Sequence, residues 1–310
     1  MPPNTRFSSY IKPGLLDQLP LDLKREIFEI AAYIHPPFAL RLAVVSREVQ
    51  PWAERIIYRE LFFNGQRISR QQENNPNALE KFTVALEARP ASFFAEYVKS
   101  LHFDGNFISE HILPIIQACT GITNFGLYAA LNDGVDTDHS ATEEVYRAIH
   151  TLPLETLFIS TSHLTLLLQQ CTPASSCLLT LPRLGLTDGC EYPAARFPAL
   201  THLALVPGSE RAVPPIYAAL ANPRIVSVIA TFSYAAIPRH NAMLRALRDI
   251  RAADPRLVLF TLPVSPTRYI EDDLWDLANE FPDEEQPVSY LKEIPGPKIL
   301  SFEELMALGL

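Results

Sequence analysis

Seven short apolar segments recur between residues 93 and 265, and their alternation constrains the fold more than any other feature of the chain. They are Val98-Lys-Ser-Leu-His-Phe, Ile122-Thr-Asn-Phe-Gly-Leu, Leu154-Glu-Thr-Leu-Phe-Ile, Leu178-Leu-Thr-Leu-Pro-Arg-Leu, Leu200-Thr-His-Leu-Ala-Leu, Ile225-Val-Ser-Val-Ile-Ala and Leu257-Val-Leu-Phe-Thr-Leu. Several take the form L-x-x-L-x-L, as in Leu154-Leu157-Ile159 and Leu200-Leu203-Leu205, which sends two or three side chains of a strand into one core. The central residues Leu101, Phe125, Leu157, Leu181, Leu203, Val228 and Phe260 lie 24, 32, 24, 22, 25 and 32 positions apart. A turn and a helical stretch fill each interval. One such unit cannot bury its own apolar edge, so neighbours must stack to close a core.

The spacing resembles that of leucine-rich repeats stretched by insertions, although the Asn that usually closes each strand is largely missing. A doubly wound sheet would also alternate strands and helices, but no Gly-rich phosphate loop follows any strand. The resemblance implies a solenoid whose parallel strands line a concave face. Its outward residues would be His102, Asn124, Thr156, His202, Ser227 and Thr261, each free to meet a partner or simply solvated.

The N-terminal part reads as three short helices. Pro20 suits a first helical turn; Leu23, Ile27 and Ile30 recur at helical spacing with Phe28 and Ala31 beside them, and Asp22, Lys24, Arg25, Glu26 and Glu29 take the other face. Pro36-Pro37 ends this helix. A second apolar helix follows from Phe38 to Val45, Ser46 caps or turns the chain, and Pro51 opens a third helix running to Leu61. Three helices in so few residues bury little by themselves and lean on a partner or on the rest of the chain.

The ordered set Leu19-Pro20, Leu23, Ile27-Phe28, Leu40, Leu42, Val45-Ser46-Arg47, Trp52, Ile57-Tyr58 and Leu61 resembles an F-box of the divergent fungal type. Pro51 before the Trp and the His35-Pro36-Pro37 turn depart from the family pattern. The resemblance implies an α/β chain with an N-terminal three-helix F-box-like unit (15–63), a linker (64–92), an irregular leucine-rich-repeat-type β/α solenoid (93–265) and an acidic, Pro-rich C-terminal segment (266–310). It further implies docking on a Skp-type adaptor, and through it on a cullin, by Leu19, Pro20, Leu23, Ile27, Val45 and Ser46. The repeats would then present an unknown protein substrate for ubiquitin transfer. The alternative is that the helices only cap a protein-binding repeat scaffold.

Charge and motifs narrow the other classes. Eight acidic residues between Glu271 and Glu285 account for all but one unit of the net charge of −9, so no basic patch recommends nucleic acid as a partner. No apolar run reaches the roughly 20 residues a membrane helix needs, and the N-terminus lacks a signal-peptide core, so the expected location is intracellular, cytoplasmic or nuclear. Cys119, Cys171, Cys177 and Cys190 read as thiols, not as a disulfide framework, and with His163 they lack the paired spacing of a zinc site. Asp272, Asp273 and Asp276 spell a DDxxD that in a diphosphate enzyme would hold Mg²⁺, but no second metal motif follows. The Asp133, Asp136, Asp138 and His139 loop lacks the Glu that completes a calcium site. No enzymatic activity and no cofactor are expected. The role of the C-terminal segment is open between capping the solenoid and carrying substrate.

Overall fold

The computed structural model describes residues 18–65, 78–128, 130–132, 140–170, 177–187, 193–206, 212–233, 241–262 and 275. Three helices come first: α1 (Leu21–Ile34), α2 (Pro36–Ala43) and α3 (Gln50–Ile57). Pro20 takes the N-cap position of α1. Pro36 and Pro37 do more than end that helix; they open α2, where their missing N–H groups would have had no partner, so the chain turns at His35 alone.

From there strands and helices alternate. β1 (Glu60–Gly65) precedes α4 (Ala78–Ala88) and α5 (Ala91–Tyr97). β2 (Ser100–Ile108), α6 (Ser109–Ala118), β3 (Asn124–Leu127), β4 (Ala130–Asn132) and α7 (Ser140–His150) follow. Then come β5 (Thr156–Ile159), α8 (Thr161–Gln170), β6 (Arg183–Leu186), β7 (His202–Leu205), α9 (Val213–Leu220), β8 (Ser227–Ser233), α10 (Asn241–Ala253) and β9 (Leu257–Leu262). Every pairing is parallel, and the order β1-β2-β3-β5-β6-β7-β8-β9 runs in sequence without reversal, with β4 paired to β2 beyond the end of β3. Among the described residues between β6 and β7 there is a short 3-10 turn at Ala194–Arg196.

Two ladders of side chains run across the sheet into the core. One comprises Leu61, Leu101, Phe125, Leu157, Leu184, Leu203, Val228 and Leu257; the other Phe63, Phe103, Leu127, Ile159, Leu186, Leu205, Ala230 and Leu259. Helix residues such as Ile112, Ile115, Val145, Ile149, Leu164, Leu167, Ile216 and Leu247 pack against them in one continuous cluster. Each fully buried aliphatic side chain there contributes about 1.5–3 kcal/mol, which is why units of four strand residues hold together.

Several expectations need correction. The third helix stops at Ile57, and β1, which pairs with β2 over six residues, is a strand the sequence pattern did not mark. The ladder residue in the fourth expected segment is Leu184, not Leu181, and in the last it is Leu257, not Phe260. Leu178 lies in a 3-10 turn. Within the stretch 64–92 stands helix α4, whose Leu79 and Phe82 belong to the main core. Among the described residues no helix is long and apolar enough to cross a membrane.

Candidate functional site

Two surfaces of this framework carry unusual chemistry, and the first is α1. Successive residues of a helix turn by about 100°, so Leu23, Ile27, Ile30 and Ile34 form one narrow stripe. All four are between 46% and 57% exposed. The opposite side, Phe28 and Ala32 with Ala31 at its flank, is what packs on α2 and α3, in a small core with Ala39, Leu42, Ala43, Val49, Ala53, Trp52 and Ile56. Helix α1 therefore turns Phe28 and its alanines inward and presents its leucine and isoleucines to the outside. The Phe28 and Trp52 rings lie 6.2 Å apart and fix this orientation.

Of the other residues expected at a docking surface, Pro20 and Ser46 are exposed, Val45 is 61% exposed and Leu19 is half-buried. The Ser46 hydroxyl also accepts the Val49 N–H at 3.1 Å, which shapes the turn into α3. Val44 and Phe38 add further exposed apolar surface beside that turn.

α3 faces the other way. The Glu54 carboxylate, nearly buried, accepts both ends of the Arg89 guanidinium and the Gln50 amide, and the Arg89 guanidinium lies 4.7 Å over the Phe93 ring. Tyr58 meets the edges of Phe93 and Phe94 at 5.2 and 5.8 Å, and burial raises its phenol above the ordinary value. The third helix is thereby clamped to the α4–α5 turn and to α5, on the side away from the α1 stripe.

The second surface is the sheet face opposite the one on which α4 and α6 to α10 pack. Glu60, Ser100, Asn124, Thr156, Arg183, His202 and Ser227 stand in one register row, and Phe62, His102, Gly126, Phe158, Gly185, Ala204, Ile229 and Val258 in the next. Five of the six expected outward positions fall in these rows, but His102, Thr156 and Ser227 are buried there and not solvated as expected. Thr261 does not; it pairs with Phe232, on the parity of the core ladders. The second row is apolar from Phe158 to Val258, and Trp275 sits on it, 1% exposed. The indole meets the Phe158 ring at 6.1 Å and the His202 ring edge-on at 5.6 Å. Burial, and next to it the charge of Arg183, hold the His202 imidazole below its ordinary pKa.

Trp275 is a site residue that sequence reasoning missed. It stands inside the DDxxD run, whose Asp272, Asp273 and Asp276 lie outside the described residues, as does the Asp133 to His139 loop. Cys171 and Cys190 lie outside them as well. The His163 Nδ1 is 2.6 Å from the Tyr146 hydroxyl, and no group of three potential metal ligands occurs among the described residues. Cys119 is buried, and burial pushes its thiol up to about 12, where it is no nucleophile.

No protein-family model matches this chain, and no curated protein matches it.

Proposed function

We propose that the chain is the substrate-recognition adaptor of an SCF-type (Skp, cullin, F-box) ubiquitin ligase, docking on a Skp-type protein through the N-terminal helices and presenting substrate on an irregular repeat solenoid. The observation that carries this reading is the exposed stripe of Leu23, Ile27, Ile30 and Ile34 on α1. Contiguous aliphatic surface of that kind on a folded chain marks an interaction site, and a helix face is read by a groove on the partner. The ordered F-box-like residue set around it supports the choice of partner. Capping and docking do not compete here: α3 packs on α5 and the turn before it through Glu54 and Tyr58, while α1 keeps its aliphatic stripe exposed for a partner. The sequential parallel strand order is what stacked repeats produce, and it leaves an outward face for substrate.

The test is co-purification of the chain with a Skp-type adaptor, comparing wild type with Ile27→Asp/Ile30→Asp. Binding by the wild type and not by a variant with unchanged circular dichroism supports the reading. A wild-type chain that fails to bind makes the helices a cap and the protein a repeat scaffold without a ligase role.

A further inference from the structure

We propose that the outward face of β5 to β9 is a recognition pocket for an aromatic side chain flanked by carboxylates on a partner peptide, and that Trp275 fills this pocket in the free chain as an intramolecular stand-in. The inference rests on reading the repeat domain as the part that presents substrate.

The pocket is built by residue size along one register row. Phe158 stands at one rim, Ile229 and Val258 at the other, and the small residues Gly185 and Ala204 lie between them. A Cβ on Gly185 would lie 2.1 Å from Cδ1 of Phe158, so the glycine is what lets that ring lie down across β6. The indole of Trp275 fits the resulting dip with Phe158 and His202 beside it.

The occupant is imperfectly matched to its seat. The indole Nε1 is buried and has no hydrogen-bond partner among the described residues, and the same holds for the hydroxyl of fully buried Thr156, two residues before Phe158 on the same face. A tryptophan that serves only as core usually finds a partner for its N–H. An exchangeable ligand held by its tether needs no such perfection, because a linked group is present at high effective concentration. Charge points to the same class of peptide. Trp275 follows Glu271, Asp272 and Asp273 and precedes Asp276 in the chain, and Arg183 stands in the outward row beside His202.

The experiment uses the full-length chain, without any adaptor, and a labelled peptide of the sequence 269–281, read by fluorescence anisotropy. Trp275→Ala is expected to bind the peptide about 10-fold or more tightly than wild type, since removing the cis occupant frees the pocket. A peptide with its Trp replaced by Ala, or the chain carrying Ala204→Phe with Trp275→Ala, should not bind. A folded Trp275→Ala chain that ignores the peptide overturns the proposal. Should that variant fail to fold, the Trp52→Phe chain leaves Trp275 as the sole tryptophan. Its emission should move to the red when an excess of the peptide bearing Phe as anchor displaces it, and constant emission overturns the proposal equally. Because no adaptor is present, either failure leaves the docking role of α1 untouched.

Discussion

The carboxylate of Glu54 and the guanidinium of Arg89 meet at two points, Nη2 to Oε1 at 2.7 Å and Nη1 to Oε2 at 3.1 Å, across 35 residues of chain. This pair ties α3 to the turn after α4. Arg89→Ala leaves a nearly buried carboxylate that still accepts from the Gln50 amide but has lost its countercharge, and should cost about 1–3 kcal/mol, toward the lower end because the arginine is partly solvated. Glu54→Ala, Arg89→Ala and the double variant, compared by urea unfolding, should show a coupling above roughly 0.5 kcal/mol. Additive losses would mean that the two groups do not depend on each other.

The α1 stripe and the α1 packing face should respond oppositely to substitution. Ile27→Asp and Ile30→Asp change exposed positions and should move stability by no more than about 0.5 kcal/mol. Ala32→Asp puts a carboxylate where no side-chain surface reaches water and should unfold the three-helix unit. Circular dichroism melts of the three variants check this. Equal losses in all three would place the stripe in the core after all.

Acid should weaken the fold through two histidines. Burial holds the His150 imidazole below its ordinary value, opposed by its bond to the Leu167 carbonyl, and burial with the charge of Arg183 does the same to His202. Between its folded value and the unfolded value near 6.5, each histidine is protonated more in the unfolded chain. Stability is therefore full above about pH 6.5 and falls as pH drops below it. The melting temperature should be lower at pH 5.5 than at 7.5, and His150→Gln/His202→Gln should flatten the difference. A profile that is unchanged in the variant would assign the acid sensitivity to other groups.

Gly185→Ala should be costlier than an added methyl group on an open strand. Its Cβ would meet three atoms of the Phe158 ring at 2.1 to 2.7 Å, and that ring cannot move aside without disturbing Trp275. A loss of about 1–3 kcal/mol is expected in denaturant unfolding. The companion change Phe158→Ala in the Gly185→Ala chain should relieve the clash, so a double variant as unstable as the sum of both losses would locate the strain elsewhere.

Much of the sheet was legible because strand residues announce their face by alternation. Leu101, Phe125, Leu157, Leu203 and Val228 stand in the ladder where the spacing put them. Leu181 and Leu184 were not distinguishable: both are fully buried, and a pattern of apolar residues three apart does not say which one pairs with Leu157. β1 was hidden because Glu60-Leu-Phe-Phe-Asn-Gly continues the apolar pattern of the helix before it, and a run that short is ambiguous between helix and strand.

The candidate sites show the same limit from another side. Periodicity found the stripe on α1 and could not say that it faces water, since an apolar helix face reads alike whether core or partner covers it. Trp275 offered less still. Its seat is assembled from Phe158, Ala204, Ile229 and Val258, residues far apart in sequence that become neighbours once the strand register is known.

In a stack of parallel strands each member is supported by its two neighbours, so such arrays are prone to peel from an end one layer at a time. Trp275 touches rings on β5 and β7 and passes over β6, where Gly185 offers no side chain of its own. An indole that reaches from a ring on β5 to a ring on β7 joins two strands that are not neighbours, so peeling a layer from this half of the sheet costs a contact two layers away, and that added cost goes when the indole does.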